Sequence, residues 1–336
     1  MNSPTTHPQH RGPTAEKRAP TVIIVGEEPR KVVTIARSLH RHGVRAIVAV
    51  RGGHTLRVTS RAVAGVVHLG DSVEDSGQLL RMLAQSEHAA WIVPTSDSSL
   101  CIVCAVYEDL ARLCAVGCPP PHIVQRILDK PDTLAVAAKC GVPVPVSLSI
   151  GSASELETAL PRMRFPIIVK PGDKRQPTFH EFKTRTFTSA DELRAAFAEQ
   201  PRFGEGLLFQ SYHRGQGVGI ELLMAGGEAV AAFQHRRLSE NPPSGGVAVV
   251  AEAEVIDPVL LDHSVRLLRA LEWDGVAMVE YRHDRATGET ALMEVNGRFW
   301  GSLPLAVAAG MDFPLHAWQL SQGITPAVPA SYHYGL

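Results

Sequence analysis

Two glutamates, an asparagine and an arginine late in this 336-residue chain have the types and spacing of a site that holds a cation beside a reacting anion. Glu280 lies in the β-prone run 276–282 and Glu294 in 290–296, with Arg285-Ala286-Thr287-Gly288 between them as turn chemistry. If the turn centres near Thr287, a symmetric antiparallel register sets Glu280 directly opposite Glu294, about 5 Å away at Cβ. Like charges at that separation are unfavourable unless something positive sits between them. Asn296 is two residues beyond Glu294 and projects from the same face. Two carboxylates and an amide oxygen suit a hard cation such as Mg²⁺. Arg298 adds a fixed positive charge where an anion could react. Taken alone, the hairpin also fits a pair of solvated acids on an exposed sheet.

The elements before the hairpin must position it. Residues 21–26 (TVIIVG) are a continuous β-branched run, as in a buried parallel strand. A helix over 30–42, strands over 44–50 and 66–69, a helix near 78–85 and a strand over 90–93 follow. Such alternation predicts a parallel α/β sheet with right-handed crossovers. Ligands of such sheets sit at the carboxyl ends of the strands, which places Thr95–Ser98 at a substrate crevice; Ser96 or Asp97 serves equally well as a helix N-cap. The first strand ends in Gly26-Glu27-Glu28-Pro29, with no GxGxxG, and two acids repel pyrophosphate, so dinucleotide binding is excluded there.

A helix is predicted over 97–115, with Cys101, Cys104 and Cys114 in it and Cys118 just beyond. Zinc knuckles place their paired cysteines on turns, so these read as buried thiols. Five cysteines in a chain of this length fit a reducing, cytoplasmic setting. Beyond the boundary Cys118-Pro119-Pro120-Pro121, a helix starts at Asp132 or Thr133 and stops at Gly141. Ser152 with Glu155 and Ser189 with Glu192 read as capping boxes. Phe165–Pro171 is a strand ending in Lys170. Short strands over 207–210, 218–224 and 229–236 precede the loop Asn241–Gly246, and Asp257-Pro258 opens a helix to 272. The last predicted helix covers 302–309.

In order and spacing, Asp129-Lys130, Gly141-Val142-Pro143, Ile168-Val169-Lys170-Pro171, Phe209-Gln210-Ser211-Tyr212 with Gly215, Val279-Glu280-Tyr281 and Met293-Glu294-Val295-Asn296-Gly297-Arg298 form a pattern. From about Val22 to Phe313 the chain resembles the ATP-grasp superfamily, near its carboxylate–amine ligases and carbamoyl-phosphate-synthase-like enzymes. The resemblance implies an α/β protein: a parallel pre-ATP-grasp domain, then a two-lobed α+β ATP-grasp fold. The expected division is a disordered tail over 1–20, the pre-ATP-grasp domain over 21–118, the small lobe or lid over 119–206, the large lobe with the metal site over 207–325 and a C-terminal tail over 326–336.

The resemblance also implies roles. Lys130 and Lys170 match lysines that contact ATP phosphates, Gln210, Ser211 and Tyr212 match the hinge that reads adenine, and Gln216 lies where ribose is held. Glu280, Glu294 and Asn296 match ligands of Mg²⁺, two ions in all, with Mn²⁺ as a substitute. Arg298 matches the arginine that steadies an acyl phosphate. Arg236, in His235-Arg236-Arg237, is a second candidate for anion contact, weighed against a surface basic cluster. Ser211 stands where the hinge often has glutamate, and Gln216 where it often has an acid. The loop after Lys170 is basic (Lys174, Arg175) rather than glycine-rich; these side chains either touch the γ-phosphate or are solvated.

The implied reaction is ATP-dependent activation of a carboxylate, trapped by an amine with release of ADP and phosphate. Carboxyphosphate formation from bicarbonate, acid–thiol ligation and a non-catalytic ATP-binding module are the alternatives. Net charge is −1, which gives no global pull toward nucleic acid or membrane, and no run of 18 apolar residues spans a bilayer. The first twenty residues lack the apolar core of a signal peptide. Expected partners are therefore a small-molecule carboxylate and amine, with homo-oligomer formation left open.

Overall fold

In a computed structural model of the chain, the structure describes residues 19–53, 56, 58–175, 182, 184–241 and 247–336. The tail before residue 19 and the loop 242–246 lie outside the described residues. The fold is mixed α/β: one parallel sheet followed by two antiparallel sheets. The first holds β1 (Thr21–Val25), β2 (Arg45–Val50), β3 (Val63–His68), β4 (Ala89–Pro94) and β5 (Ala115–Val116) in the order β3-β2-β1-β4-β5. All of β1 is buried, as its unbroken apolar run requires when helices cover both faces.

The second sheet holds β6 (Ser147–Ser149), β7 (Ile167–Pro171), β8 (Arg185–Phe187) and β9 (Leu207–Ser211), ordered β6-β9-β7-β8. It has its own core, in which Phe187, Phe197, Phe203 and Phe209 pack against one another. The third holds β10 (Gln216–Ala225), β11 (Glu228–Asn241), β12 (Val247–Glu254), β13 (Gly275–His283) and β14 (Thr290–Asn296), ordered β12-β11-β10-β13-β14. Its two faces join the first sheet in two shared cores. Val218, Ile220 and Leu222 enter one with Ile23 and Val25, while Leu223 and Phe233 enter the other with Val22 and Ile24. The small sheet is thus the element most independently packed.

Several expectations need correction. The single helix over 97–115 is two, Asp97–Ala105 and Tyr107–Leu113, broken at Val106, which packs where a Cβ on Gly77 would lie 3.1 Å from its Cγ1. The chain then turns extended at Cys114 so that Ala115 and Val116 pair with Trp91 and Ile92. Sheet pairing overrides helical periodicity there. Cys118 is buried, and Cys101, Cys104 and Cys114 are half-buried against the core. The helix expected from Asp132 or Thr133 starts at Lys130, because Asp129 is the cap and accepts from the Asp132 N–H at 3.0 Å. At both capping-box sites serine caps as expected, but the glutamates reach one residue further back, to the N–H groups of Gly151 and Thr188. The strand β12 and the helix Phe313–Ser321, capped by Asp312, add to the expected elements. No helix of the described residues is long and apolar enough to cross a membrane.

Candidate active site

The hairpin of β13 and β14 places Glu280 opposite Glu294, by a route the turn alone does not give. Next to the turn His283 pairs with Thr290, Arg282 with Ala291 and Tyr281 with Leu292. Continued unchanged, that register would set Glu280 against Met293. A bulge at Met293 shifts it by one, so Glu280 meets Glu294 and Met278 meets Asn296. The Asn296 amide then bridges the acids, donating from Nδ2 to Glu280 at 2.8 Å and to Glu294 at 3.3 Å.

Five cationic side chains, each from a different segment of the chain, gather at this pair. Lys170, the last polar residue of β7, donates to the Met293 carbonyl at 3.2 Å. Lys130, at the first turn of its helix, donates to the Pro171 carbonyl at 2.8 Å. Lys174 reaches the Asn296 Oδ1 at 3.3 Å and lies 3.5 Å from Glu294. Arg298 donates to the same Oδ1 at 2.7 Å and to Asp97 at 3.3 Å. Arg237 forms an ion pair with Glu280.

The charges are mutually dependent. Burial pushes the Glu294 carboxyl upward, but Lys174, Lys130, Lys170 and Arg298 outweigh it and hold the group well below the usual carboxylate range. Burial, aided by Lys130 and Lys174, pushes Lys170 down to about 8, against the pull of Glu294. Burial also lowers Lys130. Asp97 is raised by burial, yet Lys174 and Arg298 bring it below its ordinary value. A cluster with more cations than acids, beside an oxygen-rich pair, is arranged to receive further negative charge.

The structure separates the two arginines of β11. Arg236 donates to Glu252 on the edge strand at 2.7 Å and lies 3.2 Å from Glu254, away from the Glu280–Glu294 face. Arg237, one residue on and therefore on the opposite face, is the one that reaches the cluster. It must cross β10 to reach β13, and it can because Gly217 and Gly219 leave that face bare. A Cβ on Gly217 would lie 2.6 Å from the Arg237 Cδ, and one on Gly219 2.4 Å from the His235 Cε1. Alternate glycines on the strand between an arginine and an acid are the signal that distinguishes Arg237 from Arg236. Arg236→Ala is accordingly expected to leave turnover within about threefold of the parent, as for a partly exposed ion pair. Arg237→Ala is expected to lower it by at least about tenfold, since Glu280 loses a close counter-charge. ADP release, the readout that the ATP-grasp resemblance implies, compares the two.

The hinge region is built differently from the expectation. Gln210 is buried, and its side chain donates to Ser147 at 2.8 Å rather than facing a crevice. The Ser211 and Tyr212 N–H groups donate to the Val146 and Pro166 carbonyls, both at 2.9 Å. Ser211 Oγ is buried with no hydrogen-bond partner, a polar atom that a ligand at the hinge would satisfy. Gln216 is exposed at the start of β10. Among the described residues of the basic loop, Arg175 donates to Asp173 at 2.6 Å and lies 3.7 Å from Asp129, so it braces the loop rather than standing free in solvent.

The parallel sheet contributes through Ser96 and Asp97 at the end of β4. Ser96 is the N-cap, exchanging hydrogen bonds with Ser99, and Asp97 is free to hold Arg298. Beside them Lys31 is buried, donates to the Thr95 carbonyl at 2.6 Å and pairs with Glu28 at 3.1 Å.

A family model described as an ATP-grasp in the biosynthetic pathway with Ter operon matches residues 204–334. The structure is similar to that of an L-amino acid ligase from Bacillus licheniformis, with a TM-score of 0.70 and 17% identity over 91% of this chain and 74% of that one. It is similar to the biotin carboxylase–beta-gamma-ATP complex from Campylobacter jejuni, with a TM-score of 0.70 and 13% identity over 93% and 73% of the two chains. It is also similar to the biotin carboxylase domain of the Hydrogenobacter thermophilus 2-oxoglutarate carboxylase with MgADP, ADP and bicarbonate, with a TM-score of 0.69 and 14% identity over 91% and 70%. No curated protein matches the sequence significantly. The chain has the ATP-grasp fold, and the family-model match over residues 204–334 covers the large antiparallel sheet that carries Glu280 and Glu294.

Proposed function

We propose that this protein is an ATP-dependent ligase that activates a carboxylate as its acyl phosphate and passes the acyl group to an amine, releasing ADP and phosphate. The observation that carries this reading is the Glu280–Glu294 pair, set opposite one another and ringed by Lys130, Lys170, Lys174, Arg237 and Arg298. The residues present fit Mg²⁺: Lys174 already places a positive charge between an Asn296 oxygen and Glu294. Glu280, Glu294 and Asn296 would hold the metal, which when bound neutralises triphosphate oxygens during in-line transfer.

The chain's own side chains supply the rest. Lys130 and Lys170 come from the small lobe side and would hold the phosphates from above, each already poised by one carbonyl contact that an anionic oxygen can replace. Arg298 is aimed by Asp97 from the parallel sheet, so the group that would steady the acyl phosphate is fixed where substrate crevices of such sheets lie. No side-chain nucleophile is required, because the substrate carboxylate attacks the γ-phosphate and the amine attacks the resulting carbonyl. Adenine would lie against the β9 end, next to the unsatisfied Ser211 Oγ.

The test is ADP formation across pools of carboxylates, with amines, bicarbonate or coenzyme A offered as co-substrate. An amine-dependent signal with a product of matching mass supports the proposal. A signal that needs bicarbonate alone would transfer the protein to the carboxyphosphate-forming class, and ATP binding with no turnover in any pool would sink the ligase assignment.

A further inference from the structure

Four of the five cations at the acid pair are anchored close to regular structure: Lys130 at a helix start, Lys170 in β7, Arg237 in β11 and Arg298 just past β14. Lys174 is different. It lies in the loop beyond β7, tethered by its own N–H to the Leu128 carbonyl at 2.9 Å. Its ammonium nevertheless sits deep in the site, with 8% of the side chain exposed. It donates to the Val295 carbonyl at 3.0 Å and to Asn296 Oδ1 at 3.3 Å, lies 3.5 Å from Glu294 Oε2, and is 4.0 Å from Asp97. Carbonyl, amide and carboxylate oxygens gathered around one small charge are what a hard divalent cation also takes. Mg²⁺ binds such oxygens at about 2.0–2.1 Å. An ammonium already among them and a metal on the same Glu294 and Asn296 oxygens exclude one another.

We propose that Lys174 is the resident counter-ion of the metal position. In the nucleotide-free protein it neutralises Glu294 and competes with divalent metal. When metal and nucleotide enter together, the ammonium leaves Glu294 for the triphosphate. The proposal rests on the ATP-dependent reading for its second half only. Its physical basis is that, among the described residues, Lys174 is the cation that lies within 4.0 Å of Glu294, and a lysine on a loop can change partners at the cost of side-chain rotations. The consequence is thermodynamic: metal binds weakly alone and tightly with nucleotide, because the displaced charge then has phosphate to meet.

The experiment is a Mn²⁺ titration of the full chain, read by the electron paramagnetic resonance signal of free Mn²⁺. It is run without nucleotide and then with a non-hydrolysable ATP analogue. Without nucleotide, Lys174→Met is expected to bind Mn²⁺ at least about tenfold more tightly than the parent, the weight of one ordinary charge coupling. Lys174→Arg, which keeps a positive charge, is expected to stay near the parent. With the analogue, the advantage of Lys174→Met is expected to vanish or reverse. Circular dichroism melting verifies that each variant is folded. Equal Mn²⁺ affinity of parent and Lys174→Met without nucleotide overturns the proposal, as does a tightening that persists when Glu294→Gln is added. If the parent binds no nucleotide at all, the ligase reading fails, but the nucleotide-free comparison still decides the place of Lys174.

Discussion

Glu294→Gln is expected to lower ATP turnover by about 10²–10³-fold or more, the usual cost of removing a group that acts on transition-state charge. The substitution keeps the shape of the side chain and removes its charge. Lys130, Lys170, Lys174 and Arg298 all act on that one carboxylate, so its loss leaves their mutual repulsion uncompensated. Folding stability should respond with a definite sign. Glu294 is held below the usual carboxylate range, so its contribution is present in full above the unfolded-state value near 4.5 and is lost as pH falls towards the folded-state value. The parent should therefore be more stable than Glu294→Gln at pH 7, with the difference shrinking below about pH 4.5. Denaturant unfolding at pH 7 and at pH 4, with ADP release at pH 7, measures both effects. A Glu294→Gln protein that turns over ATP like the parent would remove Glu294 from the proposed metal site.

The same carboxylate shows how far the sequence could be read. Alternation in 276–282 and 290–296, with turn residues between, was enough to oppose Glu280 and Glu294, and the structure opposes them. A single register centred near Thr287 opposes the same two acids, whereas the chain uses a six-residue turn and a bulge at Met293. Bulges leave little trace in one sequence, because the extra residue, Met293, is as apolar as Leu292 before it and fits the strand pattern. The parallel sheet was legible for a different reason: β1 and β4 are buried on both faces and read as apolar runs.

What escaped was set by contacts between distant segments. Whether Arg236 or Arg237 faces the acids depends on how β11 pairs with β10 and β10 with β13, which parity within β11 cannot say. The break at Val106 follows its packing on Gly77, and the strand at Ala115–Val116 was decided by the edge of β4, which pairs with it through Trp91 and Ile92. Asp97 could be read as an N-cap or as part of a crevice. Ser96 took the cap, and that freed the Asp97 carboxylate for Arg298. Lys174 was legible as a charge in an unusual loop, but its place over Glu294 requires the loop after β7 to lie against the hairpin.

Lys170 gives a pH dependence in which binding and stability move in opposite directions. Burial sets its folded-state value at about 8, well below the ordinary 10.5, with Lys130 and Lys174 adding to the effect and Glu294 opposing it. Only the protonated form can hold a phosphate oxygen. In the free protein, kcat/KM for ATP should therefore fall as pH rises through about 8, roughly tenfold per unit beyond it. Folding stability should do the reverse. Below about 8 both folded and unfolded chains carry the proton, and the buried charge is a constant penalty. Between about 8 and 10.5 the folded chain has released the proton while the unfolded chain retains it, so the contribution of Lys170 to stability rises with pH. Lys170→Arg keeps its charge at every accessible pH, so its profile should lack the break even if its absolute activity is lower. Lys170→Met should be flat and lower by about 10²–10³-fold. The decisive measurement is the parent's kcat/KM from pH 6.5 to 9.5 against that of Lys170→Arg. A break near pH 8 that persists in Lys170→Arg would assign the titration to another group and take Lys170 out of the phosphate site, whereas its loss in the arginine variant alone ties the alkaline limit to this ammonium.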